Sequence, residues 1–119
     1  MYARDNVADT NDLQQRLPSG PQVEVATDML RMLADPTRLR LMLLLSEGEY
    51  DVTALVAAVG MARPAVSQHL GKLRLAGLVG VRREGRRALY RARDGHVRRL
   101  VSEVLQAASH RVTGAPEHD

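Results

Sequence analysis

Three of the four histidines, His96, His110 and His118, fall within the last 24 residues of a 119-residue chain that contains no cysteine. Neutral imidazole is a common transition-metal ligand, and a set of imidazoles with carboxylates suits nickel, cobalt or zinc. His96 and His110 are fourteen residues apart. On one helix they return within about 40° of the same face but lie about 21 Å apart along its axis. A single ion therefore cannot bind both within one chain. Asp94 stands two residues before His96, where it is either a ligand or an N-cap. The plain alternative for these histidines is solvent exposure at helix and chain ends, with no metal. The missing cysteines exclude disulfides, zinc–thiolate sites and thiol redox sensing.

A second group of residues could bind nucleic acid. The net charge of the chain is only +3, but residues 63–93 hold eight arginines and Lys72 against one acid, Glu84. That segment carries +8 and the rest of the chain −5. Such asymmetry suits a phosphate-binding face, because neutralised phosphates release counterions. An ordinary solvated charged surface is the competing explanation. Sixteen of the seventeen bases are arginine, whose planar fork pairs bidentately with phosphate and with guanine.

The elements that must position these groups follow from apolar spacing. Residues 1–20 lack apolar periodicity and read as a flexible arm, with no apolar core of a signal peptide. Ala26, Met29, Leu30 and Leu33 predict a helix from Pro21 that stops at Asp35-Pro36. A second helix over 36–47 is nearly all apolar on its inner side, which is assigned to Leu39, Met42 and Leu43. Asp51 caps a short third helix ending at Gly60. A fourth, from about Arg63 to Ala76, turns Val66, Leu70 and Leu73 inward and Arg63, Ser67, Gln68, Gly71 and Lys72 outward. Two helices joined by a short glycine-containing turn form a helix-turn-helix pattern. Strand-like runs 78–82 and 88–91 then bracket a Glu84-Gly85 reversal with Arg82, Arg83, Arg86 and Arg87 at its tip, a basic wing. A fifth helix from near Asp94 carries the stripe Val97, Leu100, Val101, Val104, Leu105, Ala108. Residues 21–111 are expected to form one domain, and 112–119 a flexible tail.

The predicted fold is thus mainly α with a two-stranded β-hairpin wing: four helices, the hairpin and a fifth helix. Residues 63–93 are the part expected to touch double-stranded DNA. Arg63, Ser67, Gln68 and Lys72 are placed to read base edges, and Arg82, Arg83, Arg86 and Arg87 to clamp phosphates. His69 lies among the base readers, as a phosphate contact or a packing residue at the helix margin. Neither a cysteine nucleophile nor a phosphate-cradling glycine loop is present, so the sequence gives no support for an enzyme. No run approaches the roughly 20 apolar residues of a membrane span, and a cytoplasmic protein is the expectation.

Met32-Leu33-Ala34-Asp35-Pro36-Thr37-Arg38-Leu39-Arg40, Val66-Ser67-Gln68-His69-Leu70-Gly71-Lys72-Leu73-Arg74 and Ala76-Gly77-Leu78-Val79 together resemble the ArsR/SmtB family of bacterial metal-sensing repressors. The likeness runs from about Val23 to His110. It implies a homodimeric winged helix joined through its first and last helices, repressing from an imperfect palindromic operator until an inducer releases it. If the last helix pairs antiparallel with its twin, His96 of one chain meets His110 of the other, giving two symmetry-related sites. The family's sensor pattern on this helix is Asp-x-His, a histidine eleven residues on, then His or Glu three further. Asp94, His96 and His110 match, whereas Ala107 stands at the third position and cannot ligate. The nickel/cobalt-sensing branch recruits the C-terminal tail, and His96, His110 and His118 resemble it. Ser109 replaces its Glu and Asp119 its second tail histidine. The implied ligands are Asp94, His96, His110, His118 and Asp119, for nickel or cobalt before zinc. The other readings are a degenerate site answering a non-metal signal, and an architectural or partner-binding winged helix.

Overall fold

The computed structural model describes residues 10–114. A short helix, α1 (Thr10–Gln15), falls within the segment expected to be an arm, and none of its residues is buried. The longer α2 (Gly20–Leu33) starts where Ser19 Oγ accepts the Gln22 N–H and Pro21 fills the first turn. Proline is harmless there, since that N–H has no partner in any helix. The next helix, α3 (Pro36–Glu47), repeats the device, with Asp35 as its cap.

Helix α3 is the hub, packing against α2 and the three helices and strand that follow it. Its buried residues are Leu41, Met42 and Leu45, while Leu43 is 39% exposed and Leu39 only half-buried. The inner side is therefore rotated from the one expected. Residues 41–45 are an unbroken apolar run, which has no periodicity from which to read the side that faces inward.

Asp51 caps α4 (Val52–Val59), which ends at Gly60 in the left-handed region. Helix α5 (Arg63–Leu75) buries Val66, Leu70 and Leu73, the three residues that the 3.6-residue spacing selects. The chain then enters a two-stranded antiparallel hairpin, β1 (Val79–Glu84) with β2 (Arg87–Ala92). Glu84 pairs with Arg87, so the reversal is Gly85-Arg86 and not Glu84-Gly85. Of the two turn residues only Gly85 has positive φ, at +61°, as a turn with glycine first requires. Tyr50 extends the sheet by one bridge to Tyr90, with N···O distances of 3.0 and 2.8 Å.

The last helix, α6 (Gly95–Thr113), is capped by Asp94. Of the expected stripe only Val97 and Val101 are buried; Leu100 and Leu105 are half-buried, and Val104 and Ala108 are exposed. The core is aliphatic, running through Leu33, Leu41, Leu45, Leu55, Leu70, Leu73, Leu78 and Val101. Among the described residues no helix is long and apolar enough to cross a membrane.

Candidate nucleic-acid interface and histidine face

Burying Val66, Leu70 and Leu73 forces the opposite side of α5 outward. Arg63, Ser67, Gln68, Gly71 and Lys72 are all exposed there, on one face. Arg63 is steadied by a bond from its NH1 to Thr53 Oγ1 of α4, at 3.2 Å. His69 departs from its neighbours. It is half-buried, with Nδ1 3.3 Å from Arg38 NH1 and 4.0 Å from Asp35 Oδ2. Its side chain thus turns to the α2–α3 corner, which fits the packing role and takes it off the exposed face.

The wing separates the four arginines nearest its tip into two pairs. Arg82 is gripped by Glu49, with Nε and NH2 each 2.9 Å from Oε1. That bond holds the Glu49 carboxyl below its ordinary range and raises the guanidinium pKa. Arg87 Nε lies 3.3 Å from Asp51 Oδ2. Asp51 is lowered chiefly by the Ala54 N–H that it caps, with Arg87 and Arg63 adding to the effect. Arg83 and Arg86 are exposed and make no ion pair among the described residues. Glu49, Asp51 and Thr53 had no signal in the local sequence, because each meets its arginine across ten or more residues. Only the local excess of arginine over acid hinted that some of it would be neutralised from elsewhere.

The histidine face is divided along α6. His96 and His110 are both exposed near opposite ends of the helix. His96 Nδ1 lies 3.1 Å from Arg99 NH2, so Nε2 is the nitrogen left for another ligand. Asp94 Oδ1 accepts the Val97 N–H at 3.0 Å. That bond keeps its carboxyl below the usual range, helped by His96. Among the described residues no three metal-ligating side chains come together. His118 and Asp119 lie outside the described residues.

A recognition-type helix beside a basic hairpin, on an aliphatic helical core, defines a winged helix-turn-helix DNA-binding protein. Residues 35–81 match the arsR family of bacterial regulatory proteins. The chain is 43% identical over 97 residues to the HTH-type transcriptional regulator KmtR of Mycobacterium tuberculosis, covering 82% of this chain and 75% of that one. It is 41% identical over 96 residues to the transcriptional repressor SmtB of the same species, covering 78% and 69%. Its fold matches the homodimeric winged helix-turn-helix domain of Mb0332 from Mycobacterium bovis, with a TM-score of 0.75 at 31% identity, over 87% of this chain and 99% of that one. The chain belongs to the arsR family of transcriptional regulators.

Proposed function

We propose that the chain is a homodimeric repressor whose hold on its operator weakens when a transition metal binds across the subunit interface. The observation that carries the dimer is the unburied stripe of α6. Val104 is 49% exposed on α6 and Leu30 is 55% exposed on α2. A second copy laid along both helices would cover them, and the homodimeric state of the Mb0332 domain supports a dimer.

On DNA, Gln68 is suited to adenine, Arg63 and Lys72 to guanine, and Ser67 to either. Arg83 and Arg86, which have no acid partner among the described residues, take phosphates directly. Arg82 and Arg87 reach DNA only by sharing or leaving Glu49 and Asp51. Base contacts set the sequence, and phosphate contacts set register and most of the affinity.

The donor chemistry fits a metal. Exposed His96, with Nε2 available, together with His110 of the partner subunit, offers two imidazoles per interface; Asp94 retains one carboxylate oxygen beyond its cap. His118 and Asp119 would complete the set. A bound ion would tie the subunits in a geometry whose α5 helices no longer match half-sites about 34 Å apart. A coupling of about 1–3 kcal/mol suffices for a several-fold to hundredfold change in affinity. Ala107 favours a second reading, a repressor of this family answering a non-metal signal.

Fluorescence anisotropy on a duplex selected by the protein from a random pool tests both. Nickel, cobalt and zinc are titrated separately against wild type and His110→Ala. A metal-dependent loss of at least fivefold, abolished in the variant, is the expected result. If no metal changes affinity by even twofold, metal control is wrong and the non-metal reading stands.

A further inference from the structure

His69 and Arg38 form a linkage that neither the DNA face nor the histidine face uses. Arg38 sits in the first turn of α3, and its Nε donates to the Met32 carbonyl near the end of α2 at 2.6 Å. The same guanidinium reaches His69 Nδ1 in the middle of α5 at 3.3 Å. Arg38 also donates its backbone N–H to Asp35 Oδ2 at 2.9 Å, and that carboxylate lies 4.0 Å from His69 Nδ1. Arginine has only donors, so His69 accepts through Nδ1. One guanidinium therefore joins three elements: the end of α2, the start of α3 and the middle of α5.

We propose that His69 is a positioning residue, which acts through Arg38 to set the orientation of α5 against α2 and so controls discrimination between operator and other DNA. Hydrogen bonds to base edges weaken steeply with misalignment, so the adjacent Ser67 and Gln68 depend on the pose of α5. Phosphate contacts from long arginines on the wing tolerate a small rotation. Loss of the linkage thus lowers specific affinity and leaves non-specific affinity in place. The inference rests on α5 being the base-reading helix.

The test measures Kd for the selected duplex and for its scrambled counterpart on the same protein sample, so that any loss of folded protein cancels in the ratio. His69→Leu and Arg38→Gln are each expected to lower that ratio roughly tenfold, with the double variant no worse than the poorer single. His69→Asn, whose Oδ1 replaces the Nδ1 acceptor, is expected to stay within about threefold of wild type. Affinity for scrambled DNA and its salt dependence are expected to hold. Should His69→Leu fail to fold, Arg38→Gln carries the same expectation. An unchanged ratio in the folded variants, or no recovery with asparagine, overturns the proposal. So does an equal loss on both duplexes with a salt slope reduced by about one per subunit, which would make His69 a phosphate contact. A wild type that does not discriminate the two duplexes removes instead the base-reading role of α5.

Discussion

Asp35, Asp51 and Asp94 each accept a backbone N–H in the first turn of the helix that follows, and Glu49 grips Arg82. All four carboxyls are held below their ordinary values of 3.8 for Asp and 4.5 for Glu, by those N–H groups and by Arg82 respectively. A depressed folded-state pKa gives stability that is complete above the unfolded value and is lost as pH falls through the folded one. The thermal midpoint is therefore expected to be insensitive to these groups at neutral pH and to drop as pH is taken below the ordinary carboxylate values. Replacing Asp51 with Asn keeps a capping oxygen but removes its titration, so scanning calorimetry should show a shallower acid decline in Asp51→Asn. An equally steep decline would mean that Asp51 has no part in it. The caps themselves were legible, because Asp51 and Asp94 each precede a helical apolar pattern. Their second partners were not. Arg87 meets Asp51 and Arg82 meets Glu49 only once the hairpin has folded back on α4, and no local spacing encodes that.

At the scale of elements, α5 and α6 show what periodicity can and cannot tell. The stripe of α5 predicted its buried residues because one face is apolar and the other polar. The stripe of α6 is as regular, yet in its later half, among the described residues, Leu105 alone is partly covered while Val104 and Ala108 stay exposed. A helix of 19 residues, about 28 Å long, with Val97 and Val101 alone buried, is the profile of an interface element. Helix α3 is the converse: its residues 41–45 are all apolar, so spacing cannot choose a side, and Leu43, expected inward, emerges outward. The hairpin turn was misplaced by one residue, since Glu-Gly and Gly-Arg both satisfy a local turn rule and strand register chooses between them. Val104 provides the test at this scale. Because it is already half-exposed in the single chain, Val104→Glu is expected to keep the helical circular dichroism while sedimentation shifts from dimer to monomer. Operator affinity should fall by at least about a hundredfold, as two half-sites become one. A Val104→Glu protein that remains dimeric would place the interface elsewhere.

For the whole molecule, the charge division is the feature that most directly joins sequence to function. Most of the segment with +8 lies on α5 and the wing, while Glu49 and Asp51 from the loop before α4 reach in and pair with two of its arginines. Arg83 and Arg86 near the hairpin tip, which make no ion pair among the described residues, are the portion that phosphates can engage without breaking one. Binding of the selected duplex is measured across salt concentrations for wild type and for the Arg83→Ala/Arg86→Ala double variant. For wild type the log–log slope is expected to be roughly −4 to −7, from five to eight phosphates. In the double variant its magnitude should drop by about two to four units, four arginines being lost from a dimer. A wild-type slope near zero would contradict DNA binding through this face. A normal slope that the double variant leaves unchanged would show that the wing does not hold the phosphates.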